Sequence, residues 1–542
     1  MDAITSVPPP GNEPARGYAP GSAERESLAR RIAELEAGRH ELTMTIGGRT
    51  RMAAGEPFTV VQPHDHQHVL GESAQATETD VVDAVDAAKR AAPGWQELPF
   101  DERAAIFLRA ADLLAGPWRD TLNAATLLGQ SKSAQQTEID AACELIDFWR
   151  FNVHFARDLL AQQPRSAPGE WNRMEYRPLD GFVTAITPFN FTSIAGNLPT
   201  APALMGNTVV WKPTPSQGLA AHYTLRLLEA AGLPPGVLNL VTGDGTAVSA
   251  VALADADFAG LHFTGSTRTF RHLWRRIADN LERYRSYPRI VGETGGKDFV
   301  LAHPSADPDA LAVALVRGAF EYQGQKCSAA SRAYLPRSLW TGGLRDRLVA
   351  LTESISFGDV TDFRHFGGAV IDARAFSRHS ELFEQVRNER LVDILTGGVT
   401  DDRVGFFVSP TILVGEDPHH EVFGTEYFGP VLSVFVYPDE DWPSVLDLVD
   451  GGSPYALTGA VFATDRTAIE QAQRALRFTA GNFYVNDKPT GAVVGRQPFG
   501  GARASGTNDK AGSPLNLQRW TSPRALKETF LPATDFRYPH MG

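Results

Sequence analysis

Three side chains of this sequence have the type and the setting that chemistry would need: a thiol, a carboxylate and a side-chain amide. Cys327 sits in the small, polar run Gln323-Gly324-Gln325-Lys326-Cys327-Ser328-Ala329, just after a segment with helical spacing. A structural cysteine usually has apolar neighbours, whereas a nucleophile needs access and a lowered pKa. The setting favours a reactive thiol, and the alternative is an inert one at a packed turn. Glu293 stands in Gly292-Glu293-Thr294-Gly295-Gly296-Lys297, a glycine-flanked loop after a β-rich run. A carboxylate on such a turn either reaches a reacting centre as a general base or faces solvent. Asn190 closes the run Ile186-Thr187-Pro188-Phe189-Asn190 at a strand end within a long uncharged stretch. Its amide must find a partner there, either a developing oxyanion or the loop it braces. The other cysteine, Cys143, lies in the helical pattern Ala141-Ala142-Cys143-Glu144-Leu145-Ile146 and reads as packed.

Glycine-bearing turns follow strands, as an anion site requires. Val241-Thr242-Gly243-Asp244-Gly245 and Phe263-Thr264-Gly265-Ser266-Thr267 both precede helical segments, so backbone amides at a helix start could face a pyrophosphate; ordinary strand-to-helix turns look the same. Lys212, in Trp211-Lys212-Pro213, ends a strand at the edge where open sheets bind ligands, or is simply solvated.

The elements that must position these groups alternate. Strands are expected at 182–186, 208–212, 237–241 and 261–263, with a helix over 220–231 stopped by Gly232 and Pro234. A second alternation follows: strands at 289–291 and 298–302, a helix over 308–322, and a strand at 333–335. This order predicts two α/β units, each built on a parallel sheet, meeting near residues 292–296. Earlier, residues 22–38 and the segment opened by Asp101 have helical spacing, with Asp101 placed to cap the first turn. Residues 1–21, rich in proline, read as an extended arm.

Composition narrows the class. The chain has 542 residues, 43% of them hydrophobic, enough for two or three domains with sizeable cores. Two cysteines cannot make a disulfide framework or a thiolate-only zinc site, so no metal is expected and the compartment is read as reducing and cytoplasmic. A formal net charge of −13 argues against nucleic acid as the main partner. The uncharged stretch 181–211 is broken by Pro188, Asn190, Pro199 and Pro202, which argues against a membrane span.

In their order along the chain, the Asn190 turn, Trp211-Lys212-Pro213, the Gly265-Ser266 turn, the Glu293 loop, Cys327 and Glu426-Tyr427-Phe428-Gly429-Pro430 resemble the NAD(P)-dependent aldehyde dehydrogenase superfamily over nearly the whole chain. The resemblance implies a Rossmann-type cofactor domain, an α/β catalytic domain and a small oligomerisation element. It implies that Cys327 attacks an aldehyde carbon, that Asn190 and the Cys327 amide hold the oxyanion, and that Glu293 activates the water that hydrolyses the thioester. For the cofactor it implies Lys212 at the adenosine ribose, Gly265 and Ser266 at the pyrophosphate, Glu426 at the nicotinamide ribose and Phe428 against the nicotinamide end.

Thr294, Asp298 and the runs 486–501 and 505–510 resemble the branch that oxidises glutamate γ-semialdehyde, the open form of Δ1-pyrroline-5-carboxylate, in proline breakdown. That likeness implies an anion grip from the Ser328 hydroxyl and the amides of Gly491 and Ala492, and an aliphatic sandwich between Phe189 and Phe499. Glu144 is either the partner of the substrate ammonium or an exposed helical carboxylate. Two departures from the family pattern stand out. Pro215 replaces a ribose-binding glutamate, so NAD is expected with NADP left open, and Phe270 replaces a glycine on the helix after Gly265. The expected division is an arm over 1–20, an NAD-binding domain over 21–164 and 179–294, a catalytic domain over 295–504, and an oligomerisation element from 165–178 and 505–542. Expected partners are a small aldehyde, further copies of the chain in a homo-oligomer built from dimers, and a proline-oxidising enzyme. The rival readings are another carboxylated ω-semialdehyde as substrate, or a catalytically silent binding protein on the same scaffold.

Overall fold

The computed structural model describes residues 5–542; residues 1–4 of the expected arm lie outside the described residues. Two seven-stranded sheets organise the molecule. In the first, Arg289–Glu293, Phe258–Thr264, Phe182–Thr187, Val209–Pro213 and Leu238–Leu240 lie side by side in parallel, and Met44–Ile46 and Arg49–Arg51 continue the edge antiparallel. In the second, Thr411–Gly415, Val431–Tyr437, Ala330–Pro336, Asp298–Ala302, Thr458–Phe462 and Asn482–Val485 are parallel, with Val392–Thr396 antiparallel at one edge. The central strands of both sheets are buried throughout, as parallel strands covered on both faces must be.

The chain order explains the sheets. Apolar runs of strand length alternate with helices such as Gly218–Ala230 and Pro308–Phe320, and parallel neighbours require such crossovers. Asp307 accepts the amides of Asp309 and Ala310, and Pro308 opens the helix without needing a donor of its own. That helix stops at Phe320, short of the expected 322, because Tyr322 and Gln323 adopt left-handed backbone angles, φ 49° and 53°. Asp101 is also not a cap. The helix Phe100–Ala115 starts after Pro99 without a side-chain cap, and Asp101 instead pairs with Thr5 and Arg157 from inside the first turn.

Residues 5–19 form no helix or strand, yet they are tied down. Asn12 and the Glu13 amide bond to Asp147, the Glu13 carboxylate meets Arg119 and Arg150, and Tyr18 donates to Glu138. Glu170–Arg177 and Ser522–Thr529 pair antiparallel over eight residues each as a two-stranded ribbon. Before the ribbon, Leu517 and Trp520 are buried in the core against the first sheet. Among the described residues no helix is long and apolar enough to cross a membrane.

Candidate active site

Strand ends of the first sheet deliver four of the groups. Asn190 follows Phe182–Thr187, Lys212 lies at the end of Val209–Pro213, Gly265 follows Phe258–Thr264, and Glu293 ends Arg289–Glu293. All leave the C-terminal edge of parallel strands, where open sheets bind ligands. The Gly265 amide donates to the Glu293 carbonyl at 3.2 Å, which ties two of these turns together.

Cys327 comes from the other half of the molecule. The Asn190 side-chain amide donates to the Gln325 carbonyl at 3.0 Å and is buried, so the Asn190 turn and the cysteine loop are in direct contact. The Glu293 loop lies against the same segment. A side chain at Gly296 would sit 2.2 Å from the Cys327 carbonyl, and one at Gly295 2.2 Å from the Glu426 carboxylate, so this turn admits only glycine.

Burial pushes Glu293 up to about 8, with Lys510 opposing and Asp509 adding, and no hydrogen bond among the described residues contributes. A carboxylate with that affinity for protons is a competent base near neutral pH. Cys327 departs from the sequence expectation of a lowered pKa. Burial pushes the thiol well up, and Glu293, Asp298 and Glu426 each add to the effect. It remains partly exposed, whereas Cys143 is buried. Burial and these carboxylates therefore oppose ionisation of the thiol, which must lose its proton to attack.

On the cofactor side, Lys212 is buried, and among the described residues its Nζ has one long contact, 3.5 Å to the Gly243 carbonyl. Burial lowers it to about 8. An ammonium so placed has donors to offer a ligand. Ser266 caps the helix Thr267–Asp279, accepting from the Thr269 amide at 3.1 Å. Phe270, the departure on that helix, stacks on Phe263 at 5.5 Å and fills the space left by Gly292, where a side chain would lie 2.2 Å from its ring. Glu426 accepts the Gly296 amide at 2.7 Å, and burial pushes it up to about 7. It shares a cavity with Lys297, Tyr427 and Phe428. A second cavity runs between Pro215, His222 and Gly243.

On the other side, the Ser328 hydroxyl pairs with that of Thr490 at 2.8 Å. Gly491 is exposed with φ 94°, Ala492 half-buried, and Phe499 half-buried with its backbone paired to Ala511. Phe189 meets Phe428 edge-on at 5.7 Å. Glu144 is not the exposed helical carboxylate of the alternative reading. It ends a wide helical turn, Glu138–Glu144, and burial pushes it up to about 8, with Asp140 adding while Ser193 and Lys132 oppose.

Sequence reasoning overlooked Thr490, Lys132 and Asp140. Thr490 was within reach as the neighbour of Gly491, but nothing local tells that Lys132 and Asp140 contact segments near residues 191 and 322.

Known proteins place this geometry in context. The aldehyde dehydrogenase family model matches residues 50–526. A probable delta-1-pyrroline-5-carboxylate dehydrogenase of Schizosaccharomyces pombe is 49% identical over 535 residues, 97% of each chain. The mitochondrial delta-1-pyrroline-5-carboxylate dehydrogenase of Bos taurus is 48% identical over 531 residues, 98% of this chain and 94% of its own. The crystal structure of delta-pyrroline-5-carboxylate dehydrogenase from Mycobacterium tuberculosis bound with NAD has a TM-score of 0.97 and 63% identity, and each chain covers 100% of the other. Proline utilization A from Bdellovibrio bacteriovorus has a TM-score of 0.90 at 30% identity, and the match covers 98% of this chain and 54% of that one. With the Asn190 turn and the Glu293 loop both against the Cys327 segment and likeness extending over nearly the full length, the chain belongs to the aldehyde dehydrogenase family.

Proposed function

We propose that the chain oxidises L-glutamate γ-semialdehyde to L-glutamate with NAD, the second step of proline degradation. The observation that carries this reading is the contact between the Asn190 amide and the Cys327 loop, beside a Glu293 that burial pushes up to about 8. Relatives of nearly half identity named for this activity support the choice of substrate.

Cys327 attacks the aldehyde carbon, and its proton passes to a neighbouring base. The carbonyl oxygen becomes an oxyanion, which the Asn190 side chain and the Cys327 backbone amide receive. Lys212 is suited to hold the adenosine ribose of NAD, Gly265 and Ser266 the pyrophosphate, Glu426 the nicotinamide ribose, and Phe428 the nicotinamide end. NAD, when bound, supplies the acceptor for the hydride lost from the thiohemiacetal carbon. Glu293 then takes a proton from water, the resulting hydroxide adds to the thioester carbon, and the Cys327 thiolate leaves as the carboxylate forms.

At the far end of the substrate, Ser328 and the amides of Gly491 and Ala492 offer donors to the α-carboxylate. Glu144 faces the α-ammonium, and Phe189 and Phe499 flank the carbon chain. Pro215 offers no carboxylate to reject a 2′-phosphate, so the preference for NAD rests on the relatives crystallised with it.

The domain division proposed is the one expected above, with the exposed ribbon joining copies into at least a dimer. Trp171, Phe530, Leu531 and Phe536 are exposed on or beside the ribbon, which supports an apolar partner surface. Light scattering at micromolar concentration checks this, and a monomer would overturn it. Two free cysteines fit a reducing, cytoplasmic setting. The likeness to proline utilization A supports association with an enzyme that oxidises proline.

The decisive test is steady-state NADH production from pyrroline-5-carboxylate and from succinate semialdehyde, with NAD and NADP in parallel. A clearly higher kcat/KM for pyrroline-5-carboxylate with NAD is expected. A preference for succinate semialdehyde would overturn the substrate, and no NADH from any aldehyde would favour the silent scaffold.

A further inference from the structure

Resting on that reading of Asn190 and Cys327, we propose that Lys132, held by Asp140, is a positioning residue for the oxyanion site. It fixes Phe191, beside Asn190, and Tyr322, at the entry to the Cys327 loop, in one relation to each other.

Lys132 is fully buried, and its Nζ lies 2.6 Å from Asp140 Oδ2. The same ammonium sits 4.3 Å from the centre of the Phe191 ring and 4.4 Å from that of Tyr322. Both distances are within the range in which a cation is attracted to an aromatic face. One charge thus holds two rings from the two segments that must meet to make the oxyanion site.

The surrounding bonds extend the clamp on both sides. Asp140 accepts the amides of Thr192 and Ser193 and the Ser193 hydroxyl, so it fixes the first turn of the helix Thr192–Leu204, directly after Asn190 and Phe191. An anion there also satisfies amides that a helix start leaves without partners. Gln130 donates to the Thr192 hydroxyl at 2.8 Å. On the cysteine side, Gln323 donates to the Ser131 carbonyl at 2.9 Å and the Ala369 carbonyl at 2.7 Å. Residues 130, 131 and 132 therefore grip the Asn190 segment, the cysteine segment, and both.

The charge itself needs a reason. A buried ion pair is seldom a gain over apolar packing of equal volume, so its value lies in the directions it imposes. Tyr322 and Gln323 hold left-handed angles that persist only where surroundings enforce them. The Lys132 ammonium over the Tyr322 ring and the two Gln323 bonds supply that enforcement. If they are loosened, Gln325 and the Cys327 amide drift relative to Asn190, and an ångström of drift costs about a hundredfold in rate.

The test is a double-mutant cycle on the full-length protein: parent, Lys132→Met, Asn190→Ala and the double variant, each assayed for kcat and KM with pyrroline-5-carboxylate. NAD affinity is read by fluorescence quenching and folding by circular dichroism. Lys132→Met is expected to lower kcat about ten- to hundredfold with NAD affinity kept. In the Asn190→Ala background the same change should cost no more than about threefold, because the site it serves is already broken. Lys132→Arg should recover most of the rate. Equal losses in both backgrounds, or a parent rate for Lys132→Met, would overturn the proposal. Should Lys132→Met not fold, Asp140→Asn enters the same cycle with the same expected coupling. Propanal is run alongside: if it is oxidised and pyrroline-5-carboxylate is not, the substrate reading fails while the cycle, read with propanal, still decides the role of Lys132.

Discussion

Cys143 and Cys327 have the same side chain, and burial pushes the pKa of both upward, to about 12 for Cys143. Their surroundings differ in what is left open. Around Cys143, Arg119 meets Glu13 and Glu138; Glu138 also accepts from Tyr18, Asn123 and the Arg16 amide; and the thiol lies 3.6 Å from Arg119 and 3.7 Å from Glu138. The charges there are matched within the protein, and the N-terminal arm is the element they secure. Around Cys327, the neighbouring Glu293 is pushed up with no hydrogen bond to its carboxyl group among the described residues. A raised thiol pKa therefore does not tell a structural cysteine from a reactive one. Partial access and a neighbouring carboxyl group without a hydrogen-bond partner among the described residues do.

The largest effect should come from Cys327→Ala, which removes the nucleophile. Turnover of pyrroline-5-carboxylate should fall by about 10⁴-fold or more with NAD affinity kept. Cys143→Ala should leave kcat/KM within about twofold and cost only ~1 kcal/mol in urea denaturation. Comparable rate losses in both would erase the contrast.

Arg119→Met breaks the closed cluster instead of the open one. It leaves Glu138 buried without its cation and should cost about 3–5 kcal/mol in denaturant unfolding. Release of the arm should show as faster proteolysis near residues 12–18. Glu293→Gln should slow steady turnover about 10²- to 10⁴-fold while a first burst of NADH survives. The parent rate should rise with pH through about 8, because Glu293 acts only when deprotonated. That limb should vanish in the variant, and a surviving limb would assign it to another group. A smaller effect than at Glu293 is expected at Glu144. Glu144→Gln should raise KM for pyrroline-5-carboxylate about tenfold, ~1.4 kcal/mol, and leave propanal oxidation unchanged. An equal change with propanal would make Glu144 structural.

Much of this was legible in the sequence. Strands such as Asp298–Ala302 coincide with their apolar runs, and the alternation with helices already implies parallel sheets. Ser22 caps the helix Ala23–Glu36, whose buried Leu28, Ile32 and Leu35 are the residues at helical spacing. Legibility stopped where contacts are non-local. Asp101 has the right type for a cap, but Pro99 starts the helix and Arg157, distant in sequence, takes the carboxylate. The helix after Asp307 stops early because Gly324 and its left-handed neighbours turn the chain toward the Gly429 segment.

The sequence by itself determined which groups can do chemistry and in what order they occur: a thiol in a small polar turn, a carboxylate on a glycine turn, an amide at a strand end. These are local properties of residue type and spacing. Only the tertiary structure decided their protonation and their company. The pKa of Glu293 and Cys327 depends on desolvation and on charges brought from elsewhere in the chain, and burial reversed the expectation for the thiol. The same holds for the meeting of Asn190 with Gln325, and of Lys132 with Phe191 and Tyr322. Short-range electrostatics and hydrogen bonds act over a few ångströms of space, whatever the distance along the chain, and only folding brings those groups within reach.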